Sequence, residues 1–147
     1  MRIITEPKEL IARYVARRCG TLARWGADAV AVALVNDDDE LMAGVVFNGY
    51  SHPNILMHIA AERMTPAFVA AFAHYPFEQL KVARVTGLID KDNKASRRFA
   101  EHLGAVLEGT MKDASPRGGD VCVYGWYARN AQKWLTERYK TRLFARV

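Results

Sequence analysis

The chain has 147 residues, half of them apolar and a quarter charged, which fits one domain with a real core and excludes a disordered chain. Its longest apolar runs, Ala29–Val35 and Leu41–Phe47, are seven residues. A membrane-spanning helix needs about 20, so no membrane partner is expected. The net charge of +5 is local: segment 129–147 holds six basic residues and one acid, and the rest balances at fifteen of each.

The N-terminus, MRIITEPKEL, lacks an apolar signal region with a cleavage site. Arg2–Ile4 reads as a short strand. Thr5 is the expected cap and Pro7 suits a first helical turn, with Leu10, Ile11, Tyr14 and Val15 at helical spacing up to Gly20. Val30, Val32 and Leu34 alternate with alanines, which predicts a strand. Asn36–Asp39 is a turn signal, and Leu41–Phe47 is the returning strand of a hairpin. Asn54–Ala60 (NILMHIA) is a third strand. Pro66 opens a helix with Phe68, Ala71, Phe72 and Tyr75 on one side, and Lys81–Ile89 returns to strand.

Asn93–Leu103 reads as a helix. Asn93 is a good N-cap, Ala95, Phe99 and Leu103 are expected to pack inward, and Gly104 suits the left-handed C-cap. Val106–Met111 and Val121–Tyr127 are strands, and Asn130–Leu143 is a final helix. Strands alternating with amphipathic helices predict a single α/β or α+β domain over residues 1–147. Cys19 and Cys122 have no metal spacing and no disulfide framework, so both read as reduced thiols of a cytoplasmic protein. His52, His74 and His102 have no ligand spacing, and no metal site is expected.

One spacing goes beyond a well-punctuated helix. Asn93, Ser96, Phe99 and Gly104 resemble the last signature block of the GNAT N-acetyltransferases. The Glu108-Gly109 pair within Val106–Lys112 is similar to the subgroup that acetylates the N-terminal amines of ribosomal proteins. Ala71–Val85 and Tyr124–Leu135 resemble the flanking parts of that subgroup, so the likeness spans roughly residues 25–135. It implies a mixed, mostly antiparallel sheet of about six to seven strands flanked by helices. Two neighbouring strands are expected to splay apart and form an acetyl-CoA cleft.

By the same resemblance, Asn54–Ala60 lines the pantetheine arm, with His58, Ile59 and Ala60 nearest the thioester. The pyrophosphate is expected on the turn Glu62-Arg63-Met64-Thr65-Pro66-Ala67, where a helix start offers unpaired N–H groups and a favourable dipole. The cofactor residues expected there are Arg63, Met64, Thr65 and Ala67. The family's turn is rich in glycine, whereas this chain has none from Tyr50 through Thr86. Asn93 is expected to reach the pantetheine as well as to cap its helix. Many members carry a tyrosine seven residues on as the acid for the departing thiolate. Ala100 stands there, and the subgroup's alternative, a serine, falls on Ser96.

A lysine ε-amine, with pKa about 10.4, is neutral at pH 7 only about once in 2,500, a cost of roughly 4.6 kcal/mol. An α-amine near 7.8 costs only about 1 kcal/mol. The subgroup's base carboxylate falls on Ser115, leaving Asp113, Asp120, His58 and Glu62 as candidates. The expected activity is acetyl transfer from acetyl-CoA to a primary amine by direct attack, the acceptor being a protein N-terminus or a small molecule. The alternative is a domain of this shape without transfer activity that binds CoA or a partner. The basic segment 129–147 suits an acidic partner or acceptor. Its aromatics Trp134, Tyr139 and Phe144 also suit nucleic acid, but Leu135, Tyr139 and Leu143 at four-residue spacing more simply pack a helix face. The sequence leaves monomer and homodimer open.

Overall fold

The alternation of small and branched residues in the central strands decides which helix covers which face. The computed structural model describes residues 1–19 and 25–136. In chain order these form β1 (Arg2–Ile4), α1 (Lys8–Cys19), β2 (Val30–Val35), β3 (Leu41–Ser51), β4 (Asn54–Ala61), α2 (Pro66–His74), β5 (Arg84–Asp90), α3 (Lys94–Leu103), β6 (Val106–Met111), β7 (Val121–Tyr127) and α4 (Ala128–Ala131). The seven strands make one open sheet in the order β1-β2-β3-β4-β5-β7-β6. Every neighbouring pair is antiparallel except β4–β5, which is the mixed, mostly antiparallel sheet with helices that the sequence predicts.

On one face, Ile11 and Val15 of α1 pack on Ala31, Ala33, Val46 and Ala60. The alanines keep that face shallow, so the helix comes close. A Cβ at Gly44 would stand 2.9 Å from the Val15 side chain. The larger residues of the same strands, Val32, Leu34, Val45 and Phe47, face the other way and meet Phe68, Val69 and Phe72 of α2. Farther along this second face, Ala100 of α3 packs on Cys122 and Tyr124. Trp126 joins the two helices: its ring meets Phe72 and Phe77, and its indole N–H donates to the Leu103 carbonyl at 3.1 Å. Trp134 donates to the same carbonyl at 3.0 Å, using an acceptor that a helix end leaves open.

Several boundaries differ from the sequence reading. The backbone N–H of Lys8 donates to the Glu6 carboxylate at 3.0 Å, so Glu6 rather than Thr5 caps α1. Tyr75–Gln79 forms a π-helical turn after α2, and Lys81 has a left-handed φ of 59°, which delays β5 to Arg84. Ala95 is exposed, and Ala100 takes its place on the inner side of α3. Among the described residues α4 gives way to a 3-10 turn at Gln132–Trp134; residues 137–143 of the expected final helix, the rest of the basic segment to 147, and Gly20 lie outside the described residues. Gly104 is needed where it stands: its φ is +106°, and a Cβ there would meet the Asn130 carbonyl at 2.9 Å. No helix among the described residues is long and apolar enough to cross a membrane.

Candidate functional site

β4 and β5 pair in parallel only through Asn54–Arg84, Ile55–Val85 and Leu56–Thr86. Beyond Leu56, β4 stays on β3 as far as Ala61, and β5 stays on β7 as far as Asp90. The two strands therefore part and leave a cleft that widens toward their C-terminal ends. A polar clamp holds the vertex. Thr86 Oγ1, in the last pair, donates to Asn54 Oδ1, in the first, at 2.7 Å, and Arg84 Nε donates to Thr86 Oγ1 at 3.2 Å. The Arg84 guanidinium in turn grips the Glu108 carboxylate at 2.6 and 3.1 Å, a bidentate pair of the strong kind. That carboxylate, also bonded by the Tyr127 hydroxyl, lies over Gly125, where a Cβ would come within 2.8 Å. Glu108 of the Glu-Gly pair thus braces the sheet from the outside.

Strand alternation decides which backbone groups face the cleft. The Pro53 carbonyl accepts from Ala83 and Arg84, on the β5 side, while the Glu62 N–H donates to Met42, on the β3 side. Hence the N–H and C=O of Met57 and Ile59 point into the cleft, past the last β4–β5 ladder position. His58 and Ala60 turn their backbone to β3 and their side chains to the α1 face. Met57 was missed in the sequence reading, although counting in twos from Pro53 would have found it. The thiol of Cys19, at the end of α1, donates to the Ile59 carbonyl at 3.6 Å, so Cys19 also lies at the cleft edge. Burial raises its pKa, with Arg117 lowering and Asp90 raising it to a lesser degree.

At the wide end, the Glu62–Ala67 turn leads into α2. The N–H groups of Glu62 and Arg63 both go to the Met42 carbonyl, at 2.8 and 3.1 Å. Thr65 is the N-cap, its hydroxyl accepting from Phe68 N–H at 3.2 Å, and Pro66 has no N–H. That leaves the N–H groups of Met64, Thr65 and Ala67 without acceptors among the described residues. Arg63 is exposed beside them. Opposite, Asn93 Oδ1 accepts from Ser96 N–H at 3.2 Å and caps α3. Because α2 and α3 lie on the same sheet face and follow adjacent parallel strands, their N-termini stand side by side at the mouth of the cleft. The structure brings Met57, Ile59, the Met64–Ala67 turn, Asn93 and Ser96 around this one opening.

The other candidates are placed differently. His58 packs under Trp25, with ring centroids 4.4 Å apart, and its Nε2 meets Asn48 Oδ1 at 2.9 Å. Burial lowers its pKa to about 4, so it is neutral at pH 7 and a weak base. Glu62 pairs with Arg18 of α1. Asp113 bonds within the β6–β7 hairpin, its N–H donating to Asp120 Oδ1 at 3.0 Å. The hairpin reaches α1 through Arg117, whose Nη2 donates to the Arg18 carbonyl at 3.0 Å. Asp90, at the cleft end of β5, is a carboxylate that the sequence reading did not single out. Among the described residues no three His, Cys, Asp or Glu converge to hold a metal ion.

The family model of the GNAT acetyltransferase domain matches residues 5–106. No curated protein matches the chain. Among solved structures, a chimera of the Vibrio cholerae spermidine N-acetyltransferase SpeG and hSSAT superposes with a TM-score of 0.66 at 14% identity, covering 91% of this chain and 98% of that one. A mutant form of the spermidine/spermine N-acetyltransferase SpeG from Vibrio cholerae gives 0.61 at 15% identity, covering 71% of this chain and 70% of that one. The ribosomal-protein-S5-alanine acetyltransferase from Vibrio fischeri gives 0.61 at 15% identity, covering 68% of this chain and 62% of that one. At these identities the likeness is one of fold.

Proposed function

The chain belongs to the GNAT acetyltransferase domain family, and from that premise we propose that it transfers the acetyl group of acetyl-CoA to a primary amine by direct attack. The observation that carries this reading is the β4–β5 splay, with the backbone of Met57 and Ile59 aimed into it and three N–H groups at its mouth that have no acceptor among the described residues. The residues fit the cofactor. Met57 and Ile59 would bind the pantetheine arm as a strand does, the N–H groups of Met64, Thr65 and Ala67 would take the pyrophosphate, and Asn93 has its side-chain amide left to donate. Acetyl-CoA, when bound, supplies an activated acetyl thioester.

The chain's own groups then have defined work. Holding the amine beside the reacting carbonyl supplies most of the rate, and a cleft N–H of β4 polarises the carbonyl oxygen. Ser96 is the proton donor to the departing thiolate. Direct attack is supported by the thiols: burial keeps Cys19 protonated, and Cys122 is buried in β7, so neither is an activated nucleophile. The acceptor we favour is an α-amine, as in the ribosomal-protein subgroup, because it gives up its proton at a cost of only about 1 kcal/mol at pH 7. His58 at about 4 could not serve a lysine-like amine as base. We also read residues 1–147 as working as one domain.

The test is calorimetric titration with acetyl-CoA, followed by a turnover screen of peptides with free N-termini against spermidine. Binding with turnover on peptides supports the whole reading. Turnover on spermidine alone would move the acceptor to a small polyamine. Binding without turnover would leave a CoA-binding module, and no binding would end the proposal.

A further inference from the structure

The Glu108-Gly109 pair lies on β6, at the edge of the sheet and separated from β5 by β7, so it cannot line the cleft. Even so, the chain makes two concessions to its carboxylate. The β6–β7 register shifts between Leu107 and Gly109, which takes Glu108 out of the regular ladder. Beneath it stands Gly125, where a Cβ would meet the carboxylate at 2.8 Å. A solvated surface acid requires neither. The side chains of Arg84 and Glu108 are only 27% and 28% exposed, so water and salt screen their pair less than an open surface pair. Arg84 Nη1 also donates to the Tyr127 hydroxyl at 3.4 Å, which fixes the guanidinium from a second side.

What the carboxylate holds lies further into the sheet. Ile55 and Val85 point into the core on the α2 face, so Asn54, Arg84 and Thr86 point to the opposite face. There Glu108 fixes Arg84, Arg84 donates to Thr86, and Thr86 donates to Asn54. This single chain of side chains runs from the sheet edge to β4 and ends where β4 and β5 share three paired residues. Parallel pairing is the weaker kind per residue, and three pairs alone leave the parting point free to move. A shift of one residue would move the closed end of the cleft by about 3.3 Å. Acetyl-CoA held by its pyrophosphate at the mouth carries its thioester inward, toward that closed end. We propose that Glu108 is a positioning residue for acetyl transfer: through Arg84 and Thr86 it fixes where β4 and β5 part, and so where the acetyl carbonyl comes to rest. The inference rests on the acetyl-CoA reading above.

Glu108→Ala and Thr86→Val break this chain at its two ends. Steady-state kinetics would use acetyl-CoA with a free-N-terminus peptide or spermidine, whichever the unaltered protein acetylates, at a temperature where each variant is folded. Each variant should lower kcat by about 10–100-fold, the scale of a small misplacement of the reacting atoms. The acetyl-CoA Kd from calorimetry should stay within a few fold, because the phosphate turn is untouched. Glu108→Gln keeps the length and loses the charge, and should fall between parent and Glu108→Ala. The double variant Glu108→Ala/Thr86→Val should be no slower than the slower single one, as two breaks in one chain require. Should Glu108→Ala fail to fold, Glu108→Gln and Thr86→Val carry the test. Unchanged kcat in the folded variants would overturn the inference, as would fully additive losses or a loss of acetyl-CoA affinity as large as the loss in kcat. In those cases the unaltered protein still binds and uses acetyl-CoA. If it does not, the acetyl-CoA reading fails and this inference with it.

Discussion

Acidification should destabilise this protein more than its carboxylates alone would, and His58 is the reason. Its imidazole has a pKa near 4 in the folded protein against an ordinary 6.5, because burial disfavours the charged ring. The unfolded chain therefore binds a proton that the folded chain refuses. Above about pH 6.5 neither state binds it, and the native state keeps its full stability. As the pH falls from there toward about 4, stability is lost at up to about 1.4 kcal/mol per pH unit, roughly 3 kcal/mol in all. That is a large part of the 5–15 kcal/mol typical of a domain. Urea melts of the parent and of His58→Gln at about pH 7.5 and about pH 4.5 isolate the effect, because the carboxylates titrate alike in both. The parent should lose about 2–3 kcal/mol more than the variant over this range. Equal losses, or a His58 proton signal titrating with a midpoint near 6.5, would refute the reasoning.

Other substitutions separate stability from chemistry. Asn93→Leu removes the α3 cap and should lower stability by about 1 kcal/mol; it should also weaken acetyl-CoA binding, as calorimetry would show. Gly104→Ala places a Cβ against the Asn130 carbonyl in left-handed backbone and should lower stability by about 1–3 kcal/mol, measured by thermal melting. Ser96→Ala should reduce kcat by about 10²–10⁴-fold and leave acetyl-CoA affinity within a few fold, read from steady-state kinetics and titration. Cys19→Ser should keep near-normal activity, and intact-mass spectrometry of the parent with acetyl-CoA should show no acetylated thiol.

Much of the fold was legible because its signals are local. The hairpin at Asn36–Asp39, the cap at Asn93 and the glycine stop at Gly104 each depend on residues a few positions apart. Where the reading slipped, tertiary contacts had decided. Ala95 fits the helical period of Phe99 and Leu103, yet the sheet meets α3 on the Ala100 side, where Cys122 and Tyr124 offer a surface. Lys81–Ala83 has strand-like composition, but the π-helical turn and the left-handed Lys81 use those residues to bring β5 alongside β4. The splay itself has no local signal. It is a relation between two strands, visible only when β4 follows β3 and β5 follows β7.

The phosphate turn shows the same limit from the other side. Its lack of glycine suggests a poor anion site, because glycine lets a backbone come close to a phosphate. What an anion needs first is N–H groups with no competing acceptor, and that count follows from the surrounding fold. Here the chain just past the end of β4 spends the Glu62 and Arg63 donors on Met42, and the Thr65 hydroxyl takes the donor of Phe68. Pro66 removes a donor at the helix start, where its fixed φ suits the first turn. Among the described residues three donors remain without an acceptor, one on each side of Pro66 and one at Met64.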